Sequence, residues 1–224
     1  MSMKPFERWL TQDVETTFGA KKVKNHPAML AWMAAEPHLT QAEMERVEPL
    51  RLRLEEKVDF WNEDELKLFF LAEFVNFIDF NRSEVYSTFS QRVVSATLKD
   101  VANQDVPLRG RVEWMVATGK QIPGQPFFFL HEYKPQLKTT PADPLGQLLI
   151  AMLTTQLLNE SKERLMYGAF VLGRLWFFVL LDKKNYAVSK SFDLTDSADF
   201  QKVIAILQEC KKYIDVDVAK FAQS

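Results

Sequence analysis

Two carboxylates and an ammonium, Glu113, Glu132 and Lys134, are the residues of this chain whose types and spacing suit chemistry. Glu132 and Lys134 stand two apart in a strand-like run, so alternation sends both to one side of a sheet. Glu113 lies in the preceding strand-like run, and a hairpin turning near residues 121 and 122 brings it opposite or diagonal to Glu132. Like charges held so close need a proton or a cation between them. Oxygen donors at this density suit a hard ion, Mg²⁺ or Mn²⁺, which takes one or two carboxylates plus a substrate phosphate. The backbone carbonyl of Tyr133 is a further oxygen donor, and Lys134 is placed to polarise a water or hold the phosphate. Set against this, an acid-x-Lys pair on a strand is also an ordinary surface ion pair worth ~0–1 kcal/mol.

The elements that must position these residues are legible in outline. The first eighty residues read as helical, with a mixed polar and aromatic stretch from Phe6 to Phe18 ending near Gly19. Thr40 with Glu43, and Asn62 with Glu65, have the spacing of helix-start caps. The first opens a helix whose apolar stripe runs through Met44, Val47, Leu54 and Val58, with Pro49 expected to break or kink it. The second opens a helix from Glu63 to about Phe77. From Ser87 the period shortens: Phe89–Leu98, Arg111–Ala117 and Pro126–Tyr133 read as strands, the last two joined by the turn TGKQIPGQ. Asp143-Pro144 caps a helix with Leu145, Leu148, Leu149, Met152, Leu153 and Leu157 on its face. Strands over Leu165–Leu172, Leu175–Leu181 and Tyr186–Ser191 follow, and a last helix starts at Thr195, Asp196 or Ser197. The expected class is α/β, or α+β with one mixed sheet, covered by helices on both faces.

The stretches RGRVEWMVATGKQIPGQPFFFLHEYKP, DPLGQLLIAMLTTQLLN and MYGAFVLGRLWFFVLL resemble the core of the PD-(D/E)XK, or restriction-endonuclease-like, superfamily. That core runs helix, three strands, helix, strand, and Glu63–Leu181 supplies these in order. The resemblance implies an αβββαβ core over residues 63–224 with its C-terminal helix, and residues 1–62 as a helical extension packed on it. It further implies that Glu113, Glu132 and Lys134 are catalytic, with Glu113, Glu132 and Tyr133 on a Mg²⁺ or Mn²⁺ ion. The acid on the second core strand of the family is usually Asp, one methylene shorter than Glu113. An additional metal-binding acid from the first core helix is matched by Glu73, with Glu84 as a nearby competitor. Gln147, in the GQLL turn, is placed to meet a water or phosphate, or else to face solvent.

Composition bounds these expectations. Lys and Arg number 28 against 30 Asp and Glu, a formal charge of −2, so tight unspecific nucleic-acid binding has no support from net charge. A local positive patch is still available from Arg109, Arg111, Lys120 and Lys138, or from Arg174. One cysteine, Cys210, excludes an internal disulfide and a thiolate zinc site and reads as a buried thiol. His26, His38 and His131 lack paired metal-ligand spacing, and alternation makes His131 structural and Trp114 core. No window reaches the ~20 apolar residues of a membrane span, and the first residues lack a signal-like apolar stretch, so a cytoplasmic protein is expected.

Three functions are compatible with these residues. The first is a metal-dependent nuclease that hydrolyses phosphodiester bonds of DNA or RNA. The second is a catalytically inactive protein of the same fold that binds nucleic acid or protein. The third is a small-molecule binder using Phe127–Phe129 and Trp176–Phe178 as a pocket, although those runs also read as buried strands.

Overall fold

A computed structural model describes residues 4–134, 143–159 and 164–221, with the backbone alone at 126–134 and 220–221. Its first elements follow from local signals. A 3₁₀ turn at Phe6–Arg8 leads to α1 (Thr11–Phe18), which ends on Gly19 at φ 71°, a left-handed conformation that suits glycine. Strand β1 (Lys21–Lys22) and α2 (Pro27–Met33) precede α3 (Gln41–Lys57). Thr40 Oγ1 accepts from the Glu43 amide and Glu43 Oε2 accepts from the Thr40 amide, a reciprocal cap. Contrary to expectation, α3 continues through Pro49. Burial of Val47, Leu50 and Leu54 along one face holds the helix together across the missing amide donor.

The helix capped by Asn62 is not uniform. It comprises α4 (Glu63–Leu66), a π turn at Lys67–Leu71, and α5 (Ala72–Ile78). A π turn holds one residue more than an α turn, so it advances the phase of everything after it by about 100°.

The strands that follow are β2 (Ser87–Lys99), β3 (Asp105–Thr118), β4 (Gly124–Lys134), β5 (Met166–Leu172), β6 (Leu175–Asp182), β7 (Asn185–Val188) and β8 (Phe192–Asp193). They form one mixed sheet in the order β1-β7-β6-β5-β4-β3-β2, with β8 added on β6. Strands β3 and β4 are antiparallel, with Trp114 opposite His131 and Leu130 opposite Met115, as the two-glycine turn predicts. Strand β4 pairs parallel with β5 and β1 pairs parallel with β7. The sheet strand donated by Lys21–Lys22 is not anticipated by the helical reading of the N-terminal part.

Helices cover both faces. On one side α2, α3, α5 and α7 (Ser197–Phe221) close over a core that includes Trp32, Leu54, Phe74, Trp176, Phe178 and Phe200. Trp176 and Phe178 are buried there, so they form no ligand pocket. On the other side α6 (Pro144–Leu158) lies against β2, β4 and β5, and α1 with the first 3₁₀ turn lies over α6. The residues before position 62 therefore contribute to both cores, with Phe6, Trp9, Val14 and Phe18 in the second.

Helix α6 is buried nearly all round, from Pro144 to Gln156, instead of showing a single apolar face. Such a helix belongs inside a fold, between layers. Its two internal hydroxyls are satisfied within the helix: Thr154 donates to Ile150 O at 2.7 Å and Thr155 to Ala151 O at 2.9 Å. Asp143 ties its start to the N-terminal segment, accepting from the Gly146 amide at 2.9 Å and from the Thr11 amide at 2.7 Å. Among the described residues, no helix is long and apolar enough to cross a membrane.

Candidate active site

Glu113 sits in the middle of β3 with its side chain 13% exposed, and it is not left as a bare buried charge. Lys67, at the start of the π turn and 22% exposed, donates to Glu113 Oε2 at 2.9 Å. The same ammonium donates to Glu63 Oε1 at 2.6 Å. Two carboxylates, one from the first turn of α4 and one from β3, thus converge on a single cation. Burial acts first on Lys67, lowering its pKa, but the hydrogen bonds and charges of Glu63 and Glu113 outweigh it and leave the pKa raised.

Gln91 of β2 supplies a further neutral clamp, donating from Nε2 to the same Oε2 of Glu113. Its backbone is unusual for a strand, with φ 56°, a left-handed conformation that costs a residue with a Cβ roughly 1–2 kcal/mol. The consequence is visible in the cores. Phe89 and Val94 of β2 belong to the same core although they are five apart, and so do Val112 and Met115 of β3, three apart. Regular alternation forbids both, so the faces of the ribbon invert at the level of Gln91 and Glu113.

The inversion arranges the surface of β3. Arg109, Arg111 and Glu113 recur at every second position and all line a concave surface of about 500 Å³, together with Glu7, Gln91 and Val93. Trp114 then packs toward the α5 side as well, edge to face with Phe80 at 5.4 Å. It walls a second pocket, of about 570 Å³, with Lys67 and Gln91 at its border. Trp114 is half-buried: it packs against the first core, as expected of it, and also lines this pocket.

The other expected site residues divide as follows. Glu132, Tyr133 and Lys134 are on β4, where they pair with Phe170, Val171 and Leu172 of β5, and their side chains lie outside the described residues. Positions 113 and 132 are the next along each strand from the Trp114–His131 pair, but the face inversion removes the parity expected of them: Glu132 pairs with Phe170 of the second core, whereas Glu113 meets Lys67 on the side of the first. Gln147 is in the first turn of α6 and is 3% exposed, so it does not face solvent. Glu73 is corrected: it is 52% exposed and paired with Arg53 of α3 at 2.8 Å, because the π turn rotates α5 away from the phase of α4. The acid of that helix beside Glu113 is Glu63, whose signal in the sequence is its place one residue after the Asn62 cap.

Among the proposed basic residues, Arg109 and Arg111 border Glu113, while Lys120 is paired with Glu84 at 3.0 Å and Arg174 with Asp193 at 3.0 Å. Lys138 lies outside the described residues. Cys210 is buried, and its burial pushes the thiol well above its ordinary value.

Glu63 and Glu113 are hard oxygen donors of the kind a Mg²⁺ ion takes, but the cation now between them is an ammonium. Among the described residues, no three Asp, Glu, His or Cys side chains group closely enough to hold a metal ion. No protein-family model matches this chain, and no curated protein matches it.

Proposed function

We propose that the protein is a metal-dependent nuclease of the PD-(D/E)XK class, hydrolysing phosphodiester bonds of DNA or RNA. The observation that carries this reading is the convergence of Glu63 and Glu113 on one cation, beside a surface lined by Arg109 and Arg111. The element order α4–α5, β2, β3, β4, α6, β5 supports it, because it is the order of that core.

Glu113 and Glu63 are the groups that would hold Mg²⁺ or Mn²⁺, in place of the Lys67 ammonium. Bound there, the ion would act as a Lewis acid on the phosphoryl oxygens and favour ionisation of an attacking water. The protein's own residues do the rest. Arg109 and Arg111 hold flanking phosphates at the mouth of the Glu113 surface. The resemblance assigns to Lys134 the placing of that water and the balancing of charge as it builds on the phosphoryl oxygens. Water attacks phosphorus and one P–O ester bond breaks, the leaving oxygen taking a proton from solvent.

The test is nicking of plasmid DNA and structured RNA by the parent and by Glu113→Gln, with Mg²⁺ and with Mn²⁺. Metal-dependent cleavage that disappears in the variant is the expected result, and no cleavage by the parent would remove the reading. A second reading has its own observation. Lys67 already bridges both carboxylates and offsets one of their two charges, which suits a protein of this fold that binds without cutting. Binding without metal-dependent stabilisation would favour it.

A further inference from the structure

The pocket beside the candidate site has a composition that the cleavage reading leaves unused. Its floor is aliphatic, from Leu68, Leu71, Ala72 and Val75 of the π turn and α5. Its wall is the Trp114 side chain, and its polar border carries two amides, Asn76 and Gln91, two hydroxyls, Thr88 and Ser90, and the charged pair Asp64 and Lys67. A volume of about 570 Å³ lies within the range of small-molecule sites and exceeds what a single planar heterocycle fills. A ligand that suits an indole wall, an aliphatic floor and a few hydrogen-bonding groups on one side is flat, aromatic and polar at its edge. The location narrows it further: Gln91 borders both this pocket and the Arg109–Arg111–Glu113 surface, and Trp114 is the residue next to Glu113.

We infer that this pocket receives one nucleobase of the substrate strand, unstacked from its neighbours, with Trp114 as the stacking wall and Asn76 reading the base edge. The inference rests on the nucleic-acid reading of the adjacent site and adds where a base of that substrate goes. A base seated here leaves its sugar and phosphate at the border shared by Gln91, where the arginine-lined surface begins. Inversion of the β2–β3 faces is what makes this possible, since it presents Glu113 and Trp114 toward the same helix. Stacking is available to every base, so discrimination between bases falls to the amides and hydroxyls.

The experiment measures binding, with a chelator present so that cleavage and metal play no part. The full chain is titrated with a short single-stranded oligonucleotide and with the same oligonucleotide carrying one abasic position, scanned along its length. The expected result is that one abasic position weakens binding about tenfold. In Trp114→Ala that difference vanishes while the residual affinity matches that of the parent for the abasic strand, and Trp114→Phe retains most of it. Because Trp114 packs on Phe80, a second variant guards against misfolding: Ala72→Phe, at an exposed lining position, fills the pocket and removes the same difference. Equal binding of intact and abasic strands by the parent, or binding of neither, overturns the inference. Displacement by an aromatic peptide but not by a nucleoside assigns the pocket to a protein partner and overturns it as well. A parent that shows the abasic effect yet never cleaves would sink the nuclease reading and leave this one standing.

Discussion

The Lys67 ammonium lies 2.9 Å from Oε2 of Glu113, and the two residues are 46 positions apart in the chain. This contact joins the first core helix to strand β3, and it fixes what the carboxylate can do. With Lys67 in place one cation bridges Glu113 and Glu63; without it the two acids lose that shared charge partner.

Replacing Lys67 by Met is accordingly expected to destabilise the protein by about 1–3 kcal/mol in a chelating buffer, a value below that of a fully buried pair because both partners retain some water. If the two carboxylates belong to a divalent site, Mn²⁺ restores the loss and raises the melting temperature of the variant more than that of the parent. Thermal melts of both proteins with and without Mn²⁺ decide this. A variant that is destabilised and indifferent to Mn²⁺ would make the contact a purely structural bridge.

The strained backbone at Gln91 gives a second expectation. Gln91→Gly and Gln91→Ala both remove the amide on Glu113, but glycine accepts φ 56° at no steric cost and alanine does not. The glycine variant should be more stable than the alanine variant by about 1 kcal/mol, read as a difference in urea midpoint at unchanged slope. Equal midpoints would mean that the face inversion at this position does not depend on a left-handed residue.

The pH dependence at the alkaline end follows from buried phenols. Burial is the largest influence on Tyr86 and Tyr186 and raises both above the ordinary 10.0, with the hydrogen bonds to Asp215 at 2.9 Å and Glu15 at 2.7 Å adding to it. Lys67 is also raised, in the balance already described. A group whose pKa is higher in the folded state contributes in full below its unfolded value and loses that contribution as pH rises toward the folded one. Stability from these groups is therefore constant from pH 7 to about 9.5 and declines above about 10. Tyr86→Phe and Tyr186→Phe should each lose about 1 kcal/mol at neutral pH and together lessen the alkaline decline, the remainder coming from Lys67 and from Tyr167 and Tyr213, which burial also raises. A double variant with the parent's alkaline slope would assign that slope to other groups.

Which parts of this molecule are legible in its sequence follows from the range of the signals. The caps at Thr40, Asn62 and Asp143 and the β3–β4 hairpin are local, written within a few residues, and the structure has each of them. Glu113 stands out because it is an acid in a strand that also supplies Val112, Met115 and Val116 to the cores. Glu63 does not stand out, since an acid in the first turn after a cap is what any helix start favours. Lys67 is hidden for a different reason: Glu63 and Glu113 lie 4 and 46 residues from it, and only the fold brings the second one in. The π turn and the positive φ of Gln91 carry no composition signal at all, and they are the features that misplace Glu73 and the parity of Glu113 with Glu132 in a reading based on regular periods.

The helix acid provides the sharpest comparison between those two descriptions. Glu63 shares Lys67 with Glu113, whereas Glu73 is exposed and bound to Arg53, an ion pair worth about 0–1 kcal/mol. In the nuclease reading Glu63→Gln should lower metal-dependent cleavage by at least tenfold and shrink the Mn²⁺-dependent rise in melting temperature, because it removes an oxygen charge from the site. Glu73→Gln should leave both unchanged within error. Lys134→Ala should abolish cleavage while keeping the Mn²⁺ effect, since an ammonium has no lone pair to give a cation, and Glu132→Ala should lose both. Glu113→Asp shortens the acid to the length usual in the family, and a rise in cleavage would indicate that the longer side chain holds the ion poorly. Plasmid nicking and melting curves on the five variants and the parent separate these outcomes. Equal loss in Glu63→Gln and Glu73→Gln would show that the effect is one of helix stability and not of the site, and an inactive, metal-indifferent parent would leave the binding-only protein as the description that survives.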